Sequence, residues 1–244
     1  MLFRSVLARE IIADVDAPID PRNVLRKLAK DYPGTWVYSN NGLIGATPEL
    51  LIRLNNSMVV SRVLAGTISK TGDDSKDLAL AASLARSSKD LEEHEYAVRS
   101  VADALAPFCS STNVPDAPFV LHLSNVMHLA TDVTGAIKES HKVIDIFSIL
   151  SKLHPSAAVC GTPTNAAADL IKKLEGINRG RYAGPIGWID ARGDGEQGLA
   201  LRCGYLKDRE VHAYAGCGIV AGSDAEHEAA ESKAKLLPII NALS

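Results

Sequence analysis

The stretch AGPIGWIDARGDGEQGLALRCGYLKDREVHAYA, residues 183–215, reads as three strands set close together: Ala183–Ala191, Gly198–Leu206 and Glu210–Ala215. Downstream, a helix runs from Asp224 towards Leu243, opened by Ser223-x-x-Glu226, the spacing of a capping box. Upstream lie helical patterns at Val143–Leu153 and Asn165–Glu175, preceded by strands at Phe119–Ser124 and His128–Ile137. Residues 75–109 have helical periodicity and divide into two helices near Ser87-Ser88. Between Gly34 and Ser69, short apolar runs are punctuated by Asn40-Asn41-Gly42, Asn55-Asn56 and Gly66, a strand meander with hairpin turns. A strand at Leu2–Val15 and a short helix at Pro21–Lys30, with Asp20 as N-cap and Pro21 in its first turn, open the chain. Strand clusters separated by helix pairs predict an α+β fold with largely antiparallel sheets, not an alternating β-α wind. No repeat or linker interrupts the pattern, so residues 1–244 are expected to form a single domain.

The composition sets outer limits on function. Of 244 residues, 46% are hydrophobic and 23% charged, which supports a packed core. A net charge of −3, with no run of five basic residues, argues against nucleic-acid binding through a basic surface. Cys109, Cys160, Cys203 and Cys217 are far apart with no C-x-x-C pair, which points to reduced thiols and a cytoplasmic location. No apolar stretch reaches the length of a membrane span, and Arg4, Arg9 and Glu10 break any signal-peptide pattern in the first twelve residues.

Two acidic pairs carry the first chemical hint. Asp90 and Glu93, and Glu228 and Glu231, are each three apart on predicted helices, so each pair shares a helix face. Both pairs lie to one side of their helix's apolar stripe, and two such flanks can close over an oxygen-ligated ion such as Mg²⁺. Amphipathic helices with solvated acidic flanks give the same pattern. Arg202, in Leu199-Ala200-Leu201-Arg202-Cys203, is either a buried guanidinium awaiting a carboxylate or the solvent face of a half-exposed strand. Glu49, in Gly45-Ala46-Thr47-Pro48-Glu49-Leu50-Leu51, is either a buried acid with a raised pKa or an outward side chain. Ala215-Gly216-Cys217-Gly218-Ile219 reads as a strand-to-helix turn whose glycines allow an anion to approach.

In this order, the segments GATPELL (45–51), AGT (65–67), KDLEEHE (89–95), HLAT (128–131), LHPSAAVCGTP (153–163), LRC (201–203), AGCGIV (215–220) and EAAESKAK (228–235) resemble the chorismate-utilising enzymes. The resemblance covers nearly the whole chain and is nearest the isochorismate synthase branch. It implies that family's fold, with sheets packed face to face and helices outside, shortened here at the N-terminus. It also implies Mg²⁺-dependent conversion of chorismate to isochorismate, with menaquinone or siderophore synthesis as the setting. Salicylate synthase is the alternative, as is a chorismate-binding remnant without catalysis.

By position, the resemblance makes Glu49 the general acid at the C4 hydroxyl of chorismate. Glu93 and Glu231 become Mg²⁺ ligands, with Asp90 and Glu228 in support. Arg202 binds a substrate carboxylate and Lys235 is a second cationic anchor. Gly66, Thr67, Ala158 and Gly216 contact the ligand, and Tyr182 and His128 lie near the pocket. One position departs from the pattern: the family's base lysine falls on Arg4, within Arg4-Ser5-Val6-Leu7-Ala8-Arg9. Arginine stays protonated in proteins and is a poor proton acceptor. The missing N-terminal region would leave the first strand with an open edge, favouring self-association or a partner that completes the sheet.

Overall fold

A computed structural model of the protein describes residues 4–141 and 145–244; Leu2, Phe3, Val143 and Ile144 of the predicted elements lie outside them. In chain order the elements are β1 (Arg4–Asp14), α1 (Pro21–Asp31), β2 (Trp36–Asn40), β3 (Leu43–Thr47), β4 (Leu50–Asn55) and β5 (Met58–Ser69). Next come α2 (Asp74–Leu84), α3 (Ser88–Leu105), β6 (Cys109–Asn113), β7 (Phe119–His122), β8 (Val126–Ile137) and α4 (Ile146–Leu153). The chain continues through β9 (Gly161–Thr162), α5 (Thr164–Leu174), β10 (Pro185–Ile189), β11 (Gly195–Leu199), β12 (Cys203–Lys207), β13 (Glu210–Ile219) and α6 (Ala225–Leu243). Among the described residues no helix is long and apolar enough to cross a membrane.

The strands form two antiparallel sheets. One runs β2-β3-β12-β13-β1-β9; the other runs β10-β11-β4-β5-β8-β6, with β7 also pairing with β8. The hairpins lie where the asparagines are: Asn41 and Gly42 take φ of 43° and 83°, and Asn56 and Ser57 take 48° and 65°. Such positive-φ pairs match the twist of two-residue hairpins.

Two short segments carry the chain between the sheets, and they place the site. Pro48 and Glu49 lead from β3 in the first sheet to β4 in the second. Proline has no N–H to donate, so the ladder stops there. The return is Ala200-Leu201-Arg202, between β11 and β12, where Arg202 takes φ of +50°. This corrects the predicted single strand Gly198–Leu206, because a left-handed residue turns it out of one sheet and into the other. β3 pairs with β12 and β4 with β11, so the two crossings run side by side. Leu199 N–H donates to the Glu49 carbonyl at 3.1 Å, and Ala46 N–H donates to the Arg202 carbonyl at 3.3 Å.

Helices cover the outer faces. α3 and α4 bury Ala97, Val101, Leu105, Ile146 and Ile149 against Ile52, Val59, Val63 and Val133 of the second sheet. α1 and α6 bury Val24, Leu28, Leu236 and Ile239 against Ile44, Ala46, Ala213 and Ala215 of the first. The cap of α6 differs from the predicted box by one residue: Asp224 accepts from His227 N–H, while Ser223 Oγ accepts from Val220 N–H. The expected open edge of β1 is covered over residues 4–8. Arg4 and Ser5 pair with β9, Val6 N–H donates to the Cys160 carbonyl, and Ala8 N–H donates to Glu175.

A polar cluster fixes β1 to β13. Glu10 accepts from Tyr214 Oη at 2.7 Å and lies 2.6 Å from His212 Nδ1, while Glu210 takes the other ring nitrogen. These two carboxylates hold the His212 pKa above its usual value. A raised folded pKa contributes stability below the unfolded value and loses it as pH rises through the folded one. His212→Gln should therefore melt below the wild type near pH 6, with the deficit closing by pH 9 in a thermal series.

Candidate active site

A cavity of about 660 Å³, including its open mouth, lies between β1 and β13 of one sheet and β5 and β8 of the other. Both sheet crossings open into it. Glu49 is 6% exposed, and burial pushes its pKa up to about 7 even though Arg4, Lys235 and Arg202 pull it down. At neutral pH much of it therefore carries a proton, as a general acid must.

Arg202 is 8% exposed, and burial lowers its pKa to about 10. Its Nη2 donates to His128 Nε2 at 2.8 Å, and its Nη1 is buried without a partner among the described residues. Because a guanidinium has only donors, His128 Nε2 is the acceptor and Nδ1 carries the hydrogen. Nδ1 lies 3.3 Å from the Gly66 carbonyl and 3.1 Å from Thr67 Oγ1. Burial and the Arg202 charge keep His128 neutral, its pKa well below normal. His128 thus aims Arg202. The register shift between Ala65 and Thr67 marks a bulge at Gly66 (φ +76°), a break within β5 and not the turn its glycine predicts.

Arg4 is 2% exposed, and its Nη2 donates to Glu93 Oε1 at 2.8 Å. Both side chains line the cavity. The AGCGIV segment makes room for them. Residues 215–219 lie inside β13 and not in a turn, which corrects the predicted strand-to-helix loop. A Cβ on Gly218 would collide with Glu93 Oε1 and Arg4 Nη2, and one on Gly216 would strike the Leu7 carbonyl. Tyr182 stacks on Tyr214, centroids 5.3 Å apart, and both rings face the cavity.

The structure brings Arg4, Glu49, Gly66, Thr67, Glu93, His128, Ala158, Tyr182, Arg202, Gly216 and Lys235 to the lining of one cavity. Asp90, Glu228 and Glu231, expected at the site, are not among the residues that line it. Glu231 pairs with Lys235 Nζ at 2.5 Å, and Lys235 also donates to the Gly216 carbonyl at 3.1 Å. Burial alone would raise Glu231, but Lys235, Arg202 and Lys89 hold it below the usual carboxylate value. Lys89 of α3 bonds Glu228 of α6 at 2.5 Å, and the charges of Glu228, Asp90 and Glu93 outweigh burial to raise its pKa. Two helices more than 100 residues apart in the chain meet through this ammonium. Sequence reading missed Lys89, Arg179, Tyr214 and Gly218, because their partners come from other elements. The exposed His227 also places a ring nitrogen within 4.8 Å of Glu228 and Glu231 oxygens. His94 of KDLEEHE serves packing: Nε2 meets Thr131 Oγ1 at 2.7 Å and Nδ1 meets the Ala65 carbonyl at 3.2 Å.

A family model described as chorismate binding enzyme matches residues 3–244. The chain belongs to this family. It is similar to the isochorismate synthase MenF of Bacillus subtilis, 36% identical over 242 residues, covering 98% of this chain and 51% of that protein. It also superposes on the crystal structure of DhbC from Bacillus anthracis with a TM-score of 0.94 and 36% identity, covering 99% of this chain and 67% of that one. The menaquinone-specific isochorismate synthase MenF of Escherichia coli gives a TM-score of 0.89 at 27% identity, covering 100% and 56%. The chain thus spans about half to two-thirds of the length of these relatives. Within this chorismate-binding fold the donor chemistry fits a hard divalent cation: Glu93, Glu228 and Glu231 offer only oxygens, are largely buried, and are each balanced by an internal cation that a metal would displace.

Proposed function

We propose that the chain forms one catalytic domain with the layout of a Mg²⁺-dependent isochorismate synthase. Its acid is in place, and its water-activating lysine is replaced by Arg4. The observation that carries this reading is the buried Glu49, with its pKa of about 7, sharing a cavity with the partly unpartnered Arg202 guanidinium. Chorismate is a dianion. A cavity that removes its carboxylates from water must supply fixed positive charge. Arg202 Nη1 supplies it on one wall, and a divalent cation held by Glu93, Glu231 and Glu228, with Asp90 beside them, would neutralise a carboxylate on the other. Glu49 then protonates the C4 hydroxyl so that it leaves as water, while a new water adds at C2 and the ring double bonds shift.

The attacking water must lose a proton, and Arg4 cannot take it. Slow turnover follows. With chorismate and Mg²⁺, product chromatography should show isochorismate as the sole product, and Arg4→Lys should raise its rate at least about tenfold by restoring a group that can act as a base. Salicylate with pyruvate would identify the salicylate synthase alternative. Tight chorismate binding without product in either protein would identify a binding-only remnant.

A further inference from the structure

Arg4 is more than a missing base. Its guanidinium is among the most deeply buried polar groups of the described residues, at 2% exposure, yet among those residues Nη2 alone has a partner. Nε and Nη1 are buried, carry N–H groups and meet no acceptor among the described residues, and the side chain lines the cavity. Across the same cavity, Arg202 Nη1 is likewise buried and unpartnered. Unmade hydrogen bonds to buried charged donors are costly, and groups of this kind are usually satisfied by something that enters the site. The strand that carries Arg4 is fixed on both sides, by β13 and by the pairing of Arg4 with Thr162. The side chain has little freedom to seek another acceptor, because Glu93 holds one end of the fork. Two guanidiniums with free donors suit carboxylates, which accept charge-assisted N–H···O bonds from them.

The geometry points to Arg4 as a ligand-binding residue: its Nη1–H donates to one carboxylate of a cyclic dicarboxylate while Arg202 Nη1–H donates to the other, so that the cavity binds such a ring without a metal. This deepens the reading of the site as a chorismate pocket and rests on it. A lysine at this position would offer one compact charge. The arginine offers directed N–H donors that remain open after Glu93 has been satisfied.

The test uses the full chain in EDTA, with isophthalate and benzoate as probes in calorimetric titrations of the wild type, Arg4→Met and Arg4→Lys. The wild type should prefer isophthalate over benzoate by at least about tenfold, since a second charged pair forms only with the dicarboxylate. Arg4→Met should abolish that preference and Arg4→Lys should retain part of it. Nitrogen-15 spectra of the wild type provide a check that needs no variant: the Arg4 guanidinium N–H resonances should shift on adding isophthalate. A wild type with no dicarboxylate preference, an Arg4→Met variant that keeps it, or unmoved Arg4 guanidinium N–H resonances would each overturn the proposal. Chorismate binding measured beside it with Mg²⁺ separates the two readings. If chorismate binds while the Arg4 tests fail, only the role of Arg4 falls. If chorismate fails to bind even with Mg²⁺, the chorismate pocket falls as well.

Discussion

Glu49→Gln should slow isochorismate formation by roughly 10²–10⁴-fold while leaving chorismate affinity nearly unchanged, the signature of a lost proton donor. The effect is best read in the Arg4→Lys background, where turnover is fastest. The same substitution should have an opposite effect on stability. Burial raises the folded pKa of Glu49 from 4.5 to about 7, so the protonated form is the one the fold prefers. That preference is fully present below pH 4.5 and is lost as pH climbs through 7. Above that range the wild type holds a buried carboxylate at a cost of about 3 kcal/mol, which glutamine avoids. Glu49→Gln should therefore match the wild type in denaturant melts at pH 5 and exceed it at pH 8.5. Turnover by proteins that retain Glu49 should decline above pH 7 as the acid ionises. A rate unaffected by Glu49→Gln would remove this residue from the chemistry.

Glu93→Gln and Glu231→Gln should each abolish the gain in chorismate affinity that Mg²⁺ provides, measured as the difference between titrations with the metal and with EDTA. Their stability effects should differ. Among the described residues Glu93 is the only partner of an Arg4 that is 2% exposed, and breaking a buried pair by removing one member costs roughly 3–5 kcal/mol. Glu231 pairs with Lys235, which keeps its contact to the Gly216 carbonyl and is more accessible. Glu93→Gln should thus lower Tm by roughly 10 °C, from about 2–4 °C per kcal/mol for a chain of this size, and Glu231→Gln by much less. An unchanged Mg²⁺ increment in both variants would show that these carboxylates do not share an ion.

The parts of the fold legible in the sequence are those set by neighbours along the chain. Asn41-Gly42 and Asn56-Ser57 announce hairpins because the conformations they need are local. Asp20 with Pro21 starts α1 for the same reason, since the Asp20 carboxylate caps Arg22 N–H. The sheet switch at Ala200-Leu201-Arg202 was hidden because nothing in an apolar run says which of two sheets each residue will join. The glycines of AGCGIV looked like a turn because their actual reason, clearance for Arg4 and Glu93, comes from residues more than 100 positions away. The short strands β6 and β9 escaped because polar or two-residue pairings carry no periodicity.

The candidate site divides in the same way. Spacing of three put Asp90 with Glu93 and Glu228 with Glu231 on helix faces, and family motifs singled out Glu49 and Arg202. Periodicity could not show that Glu93 lies on the buried side of α3, in step with Ala97 and Val101. Nor could it show that Lys89 bridges to Glu228. Burial of a charge depends on which cation is brought opposite, and that is settled by tertiary packing.

A crystal of the chain grown with Mn²⁺ and a non-reactive cyclic dicarboxylate tests the central claim most directly, through the anomalous signal of the metal. The account predicts one peak within bonding distance of Glu93 and Glu231 oxygens, with the ring between it and Arg202 and one face towards Glu49. A peak bound only by the exposed His227 side of α6, or a ring lodged away from both sheet crossings, would contradict it.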